Sequence, residues 1–561
     1  MKINQGRENI RNTPTQVRIP IMLSLAVAGG MILGATLLGG SSQVNDLSDG
    51  FIKFREVLTR IDRYYVDTVD TEELVDYSIT KMLEKLDPHT SYLNKEDAIA
   101  ARAHLESGFD GIGVEFNIYN DTVYVVTPLF GGPSEEVGIL SGDRILTVDD
   151  EPLSGPGVTN NKVFKMLRGQ RGSEVKLGIG RDGVADPLIF NIIRNRIPTY
   201  SVDAAYMVDN KTGYIKVTRF SETTYEEFKK ALASLKDQGL QQLILDLRGN
   251  PGGYMERAIN MADEFISDDK LLVYTKGKGK HFDKESKAHI KGMFEEGPVI
   301  VLVDEGSASA SEIVAGALQD HDRALIIGRR TFGKGLVQMP QKLSDGSELR
   351  LTVSRYYTPS GRSIQKPYQL GDSEEYQRDL ARRFEHGEFF HADSIHLNRE
   401  LKYTTSGGRE VYGGGGIMPD VFVPRDSSGH SRYLFELRAK NIIRNYAVNY
   451  AAKHETELLK TPFDKFNASF KVNDAMLNEI IAESKKQGIE FNQEEFDKSK
   501  ELIQLEVKAL LGRYVWGKQR KDGLSNEIYQ ILNASDNIFQ EALRHFDMAV
   551  ALEKGNLTGS N

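Results

Sequence analysis

Two stretches of this chain restrict its fold more than any other feature. In QQLILDLRGNPGG (Gln241–Gly253) a short apolar run passes directly into a glycine-rich turn, and the helical pattern YMERAINMADEFI follows. GPVIVLVDEG (Gly297–Gly306) repeats the arrangement, leading through SASAS into EIVAGALQD. Apolar runs of this length bounded by turn residues read as buried strands. GYIKVTRF and the helix TTYEEFKKALASLKDQG precede them, with Thr224 and Glu227 at capping-box spacing, and ALIIG (Ala324–Gly328) adds another strand. From Tyr200 to about Val423 the chain is therefore an α/β core in which two strand-to-helix turns can face each other.

That core is one of several domains. A chain of 561 residues exceeds what a single core supports and predicts three or four domains. Its 40% hydrophobic and 27% charged content, with 17 prolines, describes folded protein. A net charge of −9 gives no reason to expect a nucleic-acid partner. The absence of cysteine excludes thiol nucleophiles, disulfides and Cys-ligated zinc.

Ile19–Gly40 carries no charge and is long enough, as a helix, to span a hydrocarbon core. Lys2, Arg7, Arg11 and Arg18 precede it, and Asp46 and Asp49 follow. The positive-inside rule leaves residues 1–17 in the cytoplasm, makes 18–40 a single-pass anchor and carries the rest across the membrane. The alternative is a cleaved signal peptide and secretion. Residues 41–106 read as a helical arm, with Phe51, Phe54, Val57, Leu58 and Ile61 forming an apolar stripe for packing or dimerisation. Residues 107–195 carry short strands and one helix, NKVFKMLRG, in a small β domain. Its glycines around Ile112 free backbone N–H groups to capture a carboxylate, beside a strand edge that accepts an extended peptide. The same glycines also fit ordinary turns. Residues 369–410 read as an irregular insertion in the core, which spans 196–425. Its histidines 386, 391 and 396 lack metal-ligand spacing. Residues 426–561 read as a helical extension with no catalytic pattern.

The chemistry turns on GRRTFGKGLVQ. Gly328-x4-Gly333-Lys334 matches a phosphate-binding loop until Gly335 stands where a hydroxyl is needed, and a hairpin, turning at Asp345-Gly346, follows in place of a helix. Nucleotide hydrolysis is thereby disfavoured. Read as a strand, GKGLVQ puts Lys334, Leu336 and Gln338 on one face. A lysine entering an apolar core is costly as an ammonium, so burial lowers its pKa and makes it a candidate general base. The hydroxyls of SASASE lie just upstream, at a turn whose N–H groups suit an oxyanion, so a Ser-Lys hydrolase is in reach. Two plainer accounts stand beside it. Ser309-x-x-Glu312 is also a capping box, and most lysines are surface residues.

DLRGNPGG (Asp246–Gly253), DEGSASASEIVAGALQD (Asp304–Asp320) and TFGKGLVQ (Thr331–Gln338) resemble, in this order, motifs of the carboxy-terminal processing, or tail-specific, serine proteases. LDPHTSYL, YYTPSGRSIQ and GGIMPDVFV extend the resemblance across the core. It implies a helical arm, a PDZ domain and a crotonase- or Clp-like α/β Ser-Lys protease core. With the N-terminal transmembrane helix and the C-terminal helical extension read above, the chain is a multidomain α/β protein. Ser309 would be the nucleophile, Lys334 the base and Gln338 the residue orienting it. The N–H groups of Ala310 and of Gly253, in preference to Gly252, would form the oxyanion hole. Gly111, Ile112, Gly113 and Val114 would bind the substrate carboxylate, and Arg168 would couple the PDZ domain to the core. No metal or cofactor is implied. Expected partners are protein C-terminal tails, the membrane, and further copies of the chain through its N- and C-terminal helices. Catalysis would occur on the periplasmic side. A proteolytically inactive PDZ scaffold is the alternative; the insertion and the extension depart from the short members of the family.

Overall fold

A computed structural model describes residues 42–106, 108–119, 121–129, 131–181, 183–267, 269–520 and 522–556. The expected anchor, residues 18–40, lies outside the described residues, and among these no helix is long and apolar enough to cross a membrane. The chain divides into two compact units, Met1–Ile79 and Thr80–Asn561. The first contains α1 (Ser42–Tyr64) and most of α2 (Thr71–Leu83), whose start is capped by the Asp70 carboxylate on the N–H groups of Glu72 and Glu73. Phe51, Phe54 and Val57 of the apolar stripe are exposed.

The second unit begins by departing from the expected helical arm. A loop after α2 leads to the strand β1 (Ser91–Leu93), and only then to α3 (Lys95–Leu105), capped by Asn94. The next module opens with β2 (Gly108–Gly111). It continues with β3 (Val114–Tyr119), β4 (Thr122–Pro128), the single turn α4 (Pro133–Glu136), β5 (Arg144–Val148) and β6 (Glu151–Pro152). After these come α5 (Asn160–Leu167), β7 (Glu174–Gly180), β8 (Leu188–Ile193) and β9 (Asn195–Pro198). The strands run in the order β3-β4-β5-β7-β8, with β6 on β5, so β3 is an edge strand. Val123, Ile145, Leu153, Val163 and Leu177 fill its core.

The central sheet runs β10 (Val202–Met207), β11 (Thr212–Val217), β12 (Gln242–Asp246), β15 (Val299–Val303), β16 (Leu325–Gly328) and β21 (Val421–Phe422). All neighbours are parallel except β10 with β11. Every residue of β12 and β15 is buried because the sheet is covered on both faces. On one face Leu243, Leu245, Val299 and Val301 pack with α6 (Thr224–Asp237), α7 (Met255–Asp263) and α8 (Ala310–Asp320). On the other, Ile244, Ile300 and Leu302 pack with Phe539, Ala542 and Ala549 of the C-terminal segment. Glu227 does not close a capping box with Thr224. It accepts the N–H groups of Ser201 and Val202, tying α6 to the start of β10.

A second sheet joins β1, β13 (Leu271–Gly277), β14 (Lys284–Lys287), β17 (Leu336–Lys342) and β18 (Glu348–Tyr357), with β17 and β18 forming the expected hairpin. The insertion is more ordered than expected. It holds α9 (Ser373–Glu385) and the hairpin β19 (Lys402–Thr404)–β20 (Glu410–Tyr412). Glu388 pairs with both Arg330 at 2.6 Å and Arg383 at 2.8 Å, fixing this segment to the chain just before Lys334.

The C-terminal extension consists of α10 (Arg432–Ala439), α11 (Ile442–Leu458), α12 (Phe463–Ser469), α13 (Asp474–Lys486), α14 (Gln493–Val515), α15 (Asn526–Asn533), α16 (Asn537–Arg544) and α17 (Phe546–Glu553). Val126 of β4 joins the apolar cluster of its first helices, while Asn117 of β3 donates to Asn445 at 2.9 Å and Glu115 pairs with Arg444.

Candidate active site

The serines of SASAS are not equivalent. Ser307 and Ser311 are fully buried, and each hydroxyl is spent on the neighbouring turn: Ser307 Oγ donates to Leu247 O at 2.8 Å and Ser311 Oγ to Asn250 O at 2.9 Å. Asp304 Oδ1 accepts Gly249 N–H at 2.8 Å, and Ala308 N–H donates to Asn250 O at 2.9 Å. The two strand-to-helix turns are thus riveted together, because β12 and β15 are adjacent and parallel. Ser309, between them, is only half-buried and sits at φ 54°, ψ −111°. An ordinary helix cap adopts the extended region. A non-glycine residue with this backbone is strained, as at the sharp turns that present a nucleophile. The capping box is present, but this backbone is not explained by it.

The glycines opposite are required by space. A Cβ on Gly252 would stand 2.8 Å from Ser309 Cβ and 2.9 Å from Ala310 N, and one on Gly253 would stand 2.0 Å from Phe220 O. Gly252 N–H donates to Asn250 Oδ1 at 2.9 Å. The N–H groups of Gly253 and Ala310 have no acceptor among the described residues, which leaves them available to an oxyanion.

Lys334 lies in an irregular segment before β17, so the expected strand alternation through Lys334, Leu336 and Gln338 does not hold. The strand starts at Leu336 and its pairing with β18 shifts between Val337 and Gln338. The bulge turns Gln338 back, and its Oε1 accepts Lys334 Nζ at 2.9 Å. Burial pushes the Lys334 ammonium below its ordinary range; the Glu312 carboxylate opposes this only in part.

Ser309 and Lys334 are joined by two residues that the motifs did not single out for this role. The buried Glu312 accepts Ser309 N–H at 2.8 Å, Lys334 N–H at 2.9 Å, Gly333 N–H at 2.7 Å and the Thr331 hydroxyl at 2.5 Å. Burial pushes its carboxyl up to about 7. The single proton of the Tyr356 hydroxyl is shared between the carbonyls of Ser309 (3.1 Å) and Lys334. The loop before β1, within the segment read as a packing or dimerisation arm, also belongs here: Gln338 Nε2 donates to His89 O.

The other predicted residues lie in the β module. Gly111 ends β2, Val114 opens β3, and the N–H groups of Ile112 and Gly113 between them have no acceptor among the described residues. Gly113 holds φ 75°. Beside this loop the open edge of β3 faces α5, where Phe116 and Phe164 meet at 5.5 Å. Arg168 stacks over Phe109 and Phe164 of this module, at 4.6 and 4.7 Å. No group of acidic or histidine side chains among the described residues is arranged to hold a metal.

Residues 211–372 match the model of peptidase family S41, residues 111–188 that of the PDZ domain, and residues 433–517 that of a family of unknown function. A carboxy-terminal-processing protease of Bartonella bacilliformis is 38% identical over 317 residues, 56% of this chain and 72% of its own. The carboxy-terminal processing protease CtpA of Bacillus subtilis is 35% identical over 350 residues, 62% of this chain and 74% of its own. Among solved structures, a photosystem II D1 C-terminal processing protease is 27% identical over 66% of this chain and 92% of its own, with a TM-score of 0.34.

Proposed function

Given that this chain belongs to the carboxy-terminal processing proteases of peptidase family S41, serine-type peptidases with a PDZ domain, we propose that it cleaves proteins selected by their free C-terminal tails, using Ser309 and Lys334. One observation carries the reading. Glu312 and Tyr356 tether the backbones of a strained serine and a buried lysine to each other, with the lysine amine held by Gln338.

Neutral Lys334 takes the Ser309 proton as Oγ attacks the scissile carbonyl. The Ala310 and Gly253 N–H groups stabilise the oxyanion. The protonated lysine then donates to the leaving amine, and water releases the acyl group by the same route. The tail adds as a strand to the edge of β3, its carboxylate on the Ile112 and Gly113 N–H groups and its last side chain between β3 and α5. Residues 18–40 anchor the chain, with the PDZ and protease regions extracytoplasmic; that part rests on the uncharged run and its flanking charges.

The test compares the detergent-solubilised chain with its Ser309→Ala and Lys334→Ala variants on an unstructured protein ending in an apolar residue. Cleavage should vanish in both variants, weaken when the tail is amidated, and rise with pH toward the depressed lysine value. Persistent cleavage by Ser309→Ala would overturn the assignment. Tail binding with no cleavage by the unmodified chain would make it a scaffold.

A further inference from the structure

We propose that Tyr376, on the insertion helix α9, and His89, in the loop before β1, are positioning residues for the lysine base. The proposal deepens the function proposed for Ser309 and Lys334 and rests on it. Its starting point is the Gln338 amide. The His89 carbonyl can only accept, so it demands Nε2 of Gln338 and turns Oε1 toward Lys334 Nζ. In that orientation the amine donates to Gln338 and keeps its lone pair for the serine proton. With the amide flipped, an N–H would point at the lone pair and compete with Ser309. Everything that fixes the His89 carbonyl therefore fixes the base.

Two sets of contacts do so. Asp87 Oδ1 accepts the N–H groups of His89 at 3.0 Å and Thr90 at 3.1 Å, and Thr352 Oγ1 of β18 donates to it at 2.8 Å. These hold the loop's backbone to the second sheet. The His89 ring is held from the other side, with Nε2 at 2.8 Å from the Tyr376 hydroxyl and the two rings edge to face at 5.0 Å. Tyr376 is itself immobilised. It is buried, and Lys366 Nζ lies 4.0 Å from its ring centre and 3.0 Å from Asp379 on the same helix. A second route reaches the residue after the base: Gln365 Nε2 stands 3.4 Å from the Tyr376 hydroxyl, and Gln365 Oε1 accepts Gly335 N–H at 2.8 Å. Both routes from α9 end beside Lys334. The ring works uncharged, since burial and then the nearby Lys334 push the His89 imidazole down to about 4.

The ionisable groups facing this site are Glu312 on α8, Arg350 on β18, Asp87 before β1, and Lys366, whose charge also acts on His89. Tyr376→Phe changes none of them and removes one hydroxyl. Loosening His89 then admits water to Lys334 and moves its titration back toward the ordinary lysine range.

The full chain in detergent is assayed from about pH 6 to about pH 10 on an unstructured protein with an apolar C-terminus. Tyr376→Phe should leave KM unchanged and lower kcat about three- to tenfold near neutral pH. The rising limb should move upward by about half to one pH unit, so the deficit shrinks in alkali. His89→Ala should do the same, and the double variant should be no worse than His89→Ala alone. A loss equal at every pH, or a lowered melting temperature with an unmoved limb, would mean that Tyr376 only supports the fold and would overturn the proposal. Should Tyr376→Phe fail to fold, His89→Ala, which leaves the Lys366 and Asp379 anchor in place, distinguishes the same two outcomes. Ser309→Ala and Lys334→Ala run alongside. If they abolish cleavage while the limb stays put, only the positioning role fails; if they retain cleavage, the base assignment itself fails.

Discussion

Asp246 and Glu312 are both fully buried carboxylates in the protease core, one ending β12 and the other in the first turn of α8, yet they are compensated in opposite ways. Asp246 is surrounded by cations, with Arg248 at 2.6 Å and Lys216 at 3.0 Å, and the Tyr214 hydroxyl donates to it at 2.8 Å. Burial alone would push its pKa up, but the two cations outweigh burial and hold it well below the usual carboxylate range. Glu312 makes no salt bridge among the described residues. Three backbone N–H groups and one hydroxyl satisfy it, and burial still pushes it up to about 7. The first arrangement secures the sheet to the C-terminal segment through Arg248 and Asp536. The second gives up stability to fix where two backbones stand. Strain at Ser309 and a disfavoured charge at Glu312 occur together because the same carboxylate holds both parts of the site.

The largest effect should come from breaking the second arrangement. Glu312→Ala removes the one carboxylate oxygen that accepts both the Ser309 and the Lys334 N–H groups, so the two segments are no longer held together. We expect kcat to fall about a hundredfold or more, the scale set by displacing reacting groups by about 1 Å, while tail binding to the PDZ domain persists. Equal loss of binding and turnover would count against a role confined to the site. The matching change on the other side, Asp246→Asn, strands Lys216 and Arg248 without their shared partner. It should cost about 3–5 kcal/mol of stability in urea titration, with turnover of the remaining folded protein unaltered. An unchanged melt would show that these cations find other partners.

The difference between the two carboxylates was only partly legible in the sequence. Lys334 was readable as a candidate base from its turn–hairpin pattern, and NPGG and SASAS as sources of N–H groups and hydroxyls from their strand–turn–helix patterns, whereas the choice of Ser309 among the serines came only from the resemblance to the tail-specific proteases. The role of Gln338 came from the same resemblance, and the β17 bulge that makes its contact with Lys334 was not readable, since no residue type marks it. Glu312 was visible as a capping partner. Its hold on Lys334 depends on a segment about twenty residues away folding back over α8, which periodicity does not report. Asp87 and His89 were hidden by distance along the chain, because their partners Thr352 and Tyr376 come from β18 and α9. The helix α9 did leave a signal: Asp372 caps it, Glu374 and Glu375 occupy its first turn, and Arg382 and Arg383 its last. The surrounding histidines and glycines obscured that pattern.

The two carboxylates also separate by pH. Glu312 has a folded pKa above its unfolded value, so the folded state binds the proton more tightly. Its contribution to stability is full below about 4.5 and is lost as pH rises through about 7. Asp246, depressed on folding, contributes above about 3.8 and is lost only in stronger acid. Urea midpoints measured between these limits should decline toward neutrality in the unmodified chain, and the Glu312→Gln variant should lack that decline. A decline of equal steepness in the variant would place the titrating group elsewhere.

The smallest effect tests the outer end of the Asp246 network. Asp536 accepts Arg248 Nη1 at 2.7 Å and also caps α16, accepting Phe539 N–H at 2.7 Å. It is 31% exposed, so water screens the pair and Asp246 alone continues to neutralise Arg248 when Asp536 is lost. Asp536→Ala removes pair and cap together and should cost about 1–2 kcal/mol. Asp536→Asn keeps a side-chain oxygen for the cap and removes only the charge, so its cost should stay below about 1 kcal/mol. If asparagine proved as damaging as alanine, the charge rather than the cap would be what holds the C-terminal segment on the sheet. The buried cations at Asp246 would then depend on that segment for neutralisation as well as for cover.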